Sequence, residues 1–140
     1  MPSRSDDRIS IGDDQDLWRR VFPDSQCFKP LGDGQWRPSS AIFLDRHTRE
    51  VSVHVSSLTS VEAVLAQYPN HSLVALKASV PRSLGYSVCP DPIANDPILP
   101  DDPSHALICP PHEVGIKKLK AHARDMALAA KWVVLRDPPY

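Results

Sequence analysis

Two adjacent arginines, Arg19 and Arg20, follow Trp18 in the first dense apolar segment, and an Arg37-Pro38-Ser39-Ser40 run precedes the next one. Guanidinium groups engage carboxylate or phosphate oxygens in pairs, and hydroxyls held beside a rigid proline add further donors. Arg19, Arg20, Arg37, Ser39 and Ser40 could therefore orient an anionic or phosphate-bearing ligand. The plainer use of Arg37 and the serines is to end a strand and cap local backbone groups. A second set, Cys89, His105, Cys109 and His112, offers the thiolate and imidazole ligands that zinc takes in a tetrahedral site. His105 and Cys109, four apart, share one face of a strand, but His112 lies beyond two prolines and the paired knuckle spacing is missing. Small buried cysteines and partly exposed histidines are the simpler expectation, with no resident cofactor. Cys27 as a nucleophile would need a base brought close by the fold, and no histidine is singled out for it. Lys117, Lys120, Arg124 and Lys131 form a basic surface near the C-terminus. It suits an acidic protein partner or, as the second choice, nucleic-acid phosphates. No glycine-rich phosphate loop, Cys-x-x-Cys pair, His-Glu-x-x-His or nucleophile elbow is present, which removes the common enzyme classes that rely on them.

These groups must be positioned by a chain of 140 residues, enough for one domain and too short for two full cores. The first ten residues are polar and acidic where a secretory signal needs a basic start and an apolar stretch. No run nears the roughly 18 apolar residues of a membrane span. Three cysteines cannot all pair within one molecule, so a reducing, cytoplasmic setting without a membrane partner is expected. Proline is abundant at 15 residues, and most of them close apolar runs, which predicts many short elements.

Residues 1–14 hold only Ile9 and Ile11 as buriable side chains and are expected to form a flexible arm. Residues 15–136 make the domain and 137–140 a tail. The segment 16–22 reads as a short strand or one helical turn, and 24–38 as a loop pinned by Phe28 and Trp36. Residues 40–44 and the alternating 51–55 suggest a hairpin whose wet face carries Ser52 and His54. Thr59 and Glu62 have the capping-box form at the start of a short helix that ends before Pro69. Strands follow at 72–78 and 86–89, then a proline-rich excursion at 90–103 with polyproline character and a suitable binding edge. A strand at 104–109, a long helix from Pro111 to Ala130 and a last strand at 132–135 complete the chain. The expected class is α+β: one domain, a small and mostly antiparallel sheet, one short helix, and a long C-terminal amphipathic helix against one face.

Taken in order, Leu17-Trp18-Arg19-Arg20-Val21, the 36–44 strand, Ser60-Val61-Glu62-Ala63-Val64-Leu65, the 73–81 strand and Leu107-Ile108-Cys109-Pro110-Pro111-His112 resemble the bacterial RES domains. These are small NAD-degrading toxins with an ADP-ribosyltransferase-like fold. The resemblance implies NAD as substrate, Arg19 or Arg20 as the dinucleotide-binding arginine and Glu62 as the helix-borne acid; an NAD-consuming enzyme would use Ser39 or Ser40 alongside them. The chain departs from that pattern where Arg37-Pro38-Ser39-Ser40 replaces a glycine-rich approach and Phe43 replaces a tyrosine. The Arg-Pro-Ser-Ser run, with Ser-His-Ala-Leu before a basic helix, is also similar to small bacterial proteins carried by defence or conflict loci, of the toxin–antitoxin type.

The missing catalytic motifs, the prolyl excursion and the basic helix face together favour a non-catalytic accessory module that binds a protein partner. An NAD-consuming enzyme is the alternative. It requires Arg20, Ser39 and Glu62 to converge on one concave surface.

Overall fold

Alternating apolar and polar side chains produce strands that bury one face, and this chain is built mainly from such runs. The computed structural model describes residues 5–111 and 114–136. Strands β1 (Asp16–Val21), β2 (Phe28–Gly32), β3 (Gln35–Pro38), β4 (Val51–Val55), β5 (Ser72–Lys77), β6 (Ser87–Pro90), β7 (His105–Cys109) and β8 (Lys131–Val134) carry the fold. Between them lie helices α1 (Val61–Gln67), α2 (Ser79–Ser83) and α3 (Ile116–Ala129). Six strands form one sheet in the order β6-β7-β4-β1-β5-β8, every neighbouring pair antiparallel, and β2 and β3 form a separate hairpin. The fold is a small α+β domain, as the sequence pattern predicts.

Register assigns each face. Leu17, Arg19 and Val21 of β1 share a side with Val51, Val53 and Val55 of β4, Val74 and Leu76 of β5, and Ala106 and Ile108 of β7. On this side α3 contributes Leu119, Ala123, Met126 and Ala127, a stripe at helical spacing that is buried throughout. Burying Leu119 and Met126 stabilises by about 1.5–3 kcal/mol each, and the two alanines let the helix axis approach closely. The opposite side carries Trp18 and Arg20, Ser52 and His54, and His105 and Leu107.

Several elements differ from the sequence expectation. Residues 5–14 are docked rather than loose: Ile11 is buried, and the buried Arg82 draws Asp6 and Asp13 onto α2 at 2.9 and 2.8 Å. The few apolar residues of this segment understated it because its anchor is ionic. Residues 24–38 are a 3-10 turn at Ser25–Cys27 followed by the β2–β3 hairpin, which is turned by Gly32, Asp33 and Gly34, all at positive φ. Its aromatics do pin it: Phe28 stacks on Trp132 at 5.7 Å, and Trp132 Nε1 donates to the Trp36 carbonyl at 3.0 Å. Residues 40–43 form a 3-10 helix rather than a strand, because Ser39 Oγ accepts from Ala41 N and caps the turn. Strand β4 therefore has no hairpin partner there and pairs with β1 and β7 instead. The cap of α1 is Ser60, whose Oγ accepts from Ala63 N at 3.1 Å; this leaves Glu62 one position short of the capping-box site. Helix α3 begins after Gly115, later than a Pro111 start. The 90–103 excursion doubles back through an Ile93↔Asp102 bridge, a closed loop rather than an extended polyproline arm. No helix among the described residues is long and apolar enough to cross a membrane.

Candidate functional site

Three neighbouring strands each place one nitrogen-rich side chain on the sheet face opposite α3. His105 comes from β7, His54 from β4 and Arg20 from β1. Strands β1 and β4 pair over only Leu17↔Val55 and Trp18↔His54, so the row is closed by side-chain contacts. Arg20 Nε donates to His54 Nε2 at 3.2 Å, and the guanidinium carbon lies 3.7 Å from the centroid of the Tyr68 ring. A cation over an aromatic face is held in place by the ring's negative π-cloud, so Arg20 is oriented from two directions. Among the described residues its terminal Nη groups make no hydrogen bond.

His54 is almost fully buried, against the expectation of a wet face, because α1 and the closed loop cover it. Its Nδ1 lies 3.1 Å from Asp102 Oδ2 and 3.1 Å from Ser104 Oγ. Ser104 Oγ in turn donates to Asp102 Oδ1. A guanidinium cannot accept a hydrogen bond, so Nε2 must be the acceptor and the imidazole carries its proton on Nδ1, pointed at Asp102. Burial lowers the His54 pKa; Asp102 acts against that shift, and Arg20 and His105 add to it. His105 Nδ1 engages the Asp91 carbonyl at 2.8 Å and its carboxylate at 3.1 Å. Beside Arg20, His71 sits between Phe22 and Tyr68, with ring centroids at 4.7 and 5.2 Å. Both His71 ring nitrogens are buried without a partner among the described residues, and burial followed by the Arg20 charge lowers its pKa.

Above this floor lies a two-limbed groove. One limb, about 330 Å³, runs from His54 along Leu58, Ser60, Ala63 and Val64 to Asp101. The other, about 160 Å³, holds Arg20, Tyr68 and His105 and is walled by Ile93, Leu99 and Pro100 of the closed loop. His54, Gln67 and Asp102 belong to both limbs. Leu58 and Leu99 are large apolar residues left exposed at the groove, and Ile98 lies exposed beside them.

The residues singled out from sequence divide between the two sides. Arg20 is in the groove, whereas Arg19 points to the α3 side, as strand alternation demands for neighbours. There Arg19 is partly buried and donates to the Ile42 and Ser52 carbonyls at 2.9 and 3.0 Å; desolvation, and then the Arg20 charge, bring its pKa down to about 10. Ser39 and Ser40 lie beside Arg37 and Arg124 in a separate depression, and Glu62 is exposed on the first turn of α1 and lines neither feature. Arg20, Ser39 and Glu62 do not converge. Lys117 and Lys120 are exposed on α3 and Lys131 on β8. The proposed zinc ligands are otherwise engaged: His105 with Asp91, and Cys109 as a thiol donating to Glu50 at 3.2 Å. Burial, then the Glu50 contact, pushes the Cys109 pKa up, and burial followed by Asp24 raises that of Cys27. Cys89 is buried, His112 lies outside the described residues, and among the described residues no three His, Cys, Asp or Glu are grouped to hold a metal ion.

His54, Tyr68 and Asp102 are the site residues that sequence reasoning missed. The Asp-Pro-Ser turn around Asp102 was a signal, since its carboxylate accepts from Ser104 N at 3.0 Å. Nothing local marked His54 or Tyr68. No family model matches this chain, and no curated protein or solved structure matches it either.

Proposed function

We propose that the chain is a non-catalytic binding module that docks an extended, carboxylate-bearing segment of a partner protein in the Arg20 groove. The observation that carries this reading is the state of Arg20. Its Nε and its ring-stacked face are committed to His54 and Tyr68, while its terminal nitrogens face the groove without a partner among the described residues. A guanidinium oriented in advance loses little entropy when it takes a carboxylate through two parallel hydrogen bonds. Exposed Leu58, Ile98 and Leu99 add apolar surface of the kind a protein partner covers. His54 supports binding over acid–base work, since both of its ring nitrogens are engaged by protein groups, Nε2 by Arg20 and Nδ1 by Asp102 and Ser104. Ser104 and Asp102 both lie on Nδ1, an arrangement unlike a nucleophile triad, in which the hydroxyl and the carboxylate flank opposite nitrogens. The accessory role expected from sequence, with a place in a bacterial defence system, is part of the same proposal.

Selection from a random-peptide display library tests it. Enriched peptides are expected to share an Asp, a Glu or a free C-terminus beside apolar residues. Arg20→Lys is expected to weaken them at least about tenfold, from the loss of charge-assisted bonding worth about 1.5–3 kcal/mol. Selected peptides without a carboxylate, or binding indifferent to Arg20→Lys, would overturn the proposal.

A further inference from the structure

The depression beside α3 shares no lining residue with the groove. It has a volume of about 160 Å³ and gathers Lys29 and Arg37 from the β2–β3 hairpin, Ser39 and Ser40 from the following turn, and Arg124 from α3. Lys29 and Arg37 are direct cross-strand partners, so two like charges project side by side from the same face of a two-stranded ladder. Such pairs destabilise a hairpin unless something of opposite charge lies between them. Arg124 brings a third cation, from an element distant in sequence. Among the described residues no carboxylate lines the depression, and none of the three cations makes an ion pair or a side-chain hydrogen bond. Ser39 Oγ already accepts from Ala41 N, which leaves its own proton free to donate, and Ser40 is exposed at the rim.

We infer that this depression binds the phosphate group of a small phosphorylated molecule. Three cationic residues and two serines lining one compact volume suit a tetrahedral oxyanion, and the anion would relieve the Lys29–Arg37 repulsion. The local role of Ser39 as a cap accounts for Ser39 alone and leaves the paired charges unexplained. A nucleic acid requires a longer cationic track, and a chain of formal net charge −1 opposes it beyond the depression itself. The inference is independent of the groove, since it uses other residues on the other side of the sheet.

Titration of the full chain with inorganic phosphate and with pyrophosphate, followed by amide NMR at constant ionic strength, tests it. Saturable shifts are expected at Ser39, Ser40 and Arg124. Arg37→Gln and Arg124→Gln should each weaken pyrophosphate at least about tenfold. Lys118→Gln, exposed on α3 six residues from Arg124 and outside the depression, should leave affinity unchanged. Lys29→Gln, at an exposed position, should reproduce the loss even if Arg37→Gln disturbs the hairpin. Shifts that do not saturate, or that spread evenly over surface lysines, would overturn the site. Equal weakening by Lys118→Gln would do the same. A single-stranded oligonucleotide binding more tightly than pyrophosphate, with steep salt dependence, would replace the small ligand by a polyanion.

Discussion

Removing the Asp6 carboxylate should cost far more than removing Asp13, although both touch the same arginine. The Arg82 side chain is 2% exposed, and its Nε and Nη1 donate to Asp6 and Asp13 while Nη2 reaches the Asp7 carbonyl at 3.3 Å. Asp6 retains 23% exposure against 53% for Asp13, and Asp6 Oδ1 also accepts from Val88 N on β6 at 2.8 Å. Breaking a buried ion pair from one side costs about 3–5 kcal/mol; the residual charge of Asp13 and the partial exposure of Asp6 reduce this to about 2–3 kcal/mol for Asp6→Ala. Asp13→Ala removes a mostly solvated carboxylate and should cost about 0.5–1 kcal/mol. For a domain of this size Asp6→Ala should lower Tm by about 5–10 °C. Urea unfolding followed by tryptophan fluorescence gives the free energies, and faster exchange of the Val88 amide reports the lost bond directly. Asp6→Ala combined with Arg82→Met should recover part of the loss, because no unpaired buried charge is left. If Asp6→Ala lies within about 0.5 kcal/mol of the parent, or matches Asp13→Ala, the view that this clamp holds residues 5–14 against α2 and β6 is wrong.

Three further outcomes follow from the same side-chain environments. Burial holds His54 and His71 below the ordinary histidine pKa of about 6.5, so the unfolded chain takes up protons first as pH falls; stability should be full above about pH 7 and decline below about pH 6.5, a slope that urea midpoints measure and His54→Gln should flatten. His71→Phe should leave stability unchanged or raise it by about 1 kcal/mol, because it keeps the contacts with Phe22 and Tyr68 and removes two buried nitrogens that have no partner among the described residues; a loss greater than about 1 kcal/mol would show that those nitrogens have a partner in solution. Arg19→Met should destabilise by about 2–4 kcal/mol in a thermal melt by stranding the Ile42 and Ser52 carbonyls, while Arg20→Met, on the half-covered face, should cost clearly less.

Much of the architecture is legible in the chain itself. The valine alternation of β4, the apolar runs of β5 and β7, the α3 stripe and the element-ending prolines state their periods locally, and local period is what sequence patterns report. The pairing of strands is not legible in that way. Residues 40–44 have a strand's composition, yet a serine cap and the packing of Ile42 and Phe43 under α3 make them a 3-10 helix, and β4 turns to β1 and β7. Alternation alone implies that Arg19 and Arg20 face opposite ways. Which of them would bind carbonyls on the α3 side, and which would line a groove, depended on which side α3 covers.

The site divides along the same line. The sequence by itself determined which groups were available: two arginines in a strand, an Arg-Pro-Ser-Ser run, and a histidine between valines. Tertiary structure alone brought Arg20, His54, Tyr68 and Asp102 together from four separated segments, and set Arg37 beside Lys29 and Arg124 on the far side of the sheet. The physical reason is that a strand's side-chain direction is set by its neighbours in sequence, whereas burial, charge pairing and imidazole tautomer are set by whatever packs above it.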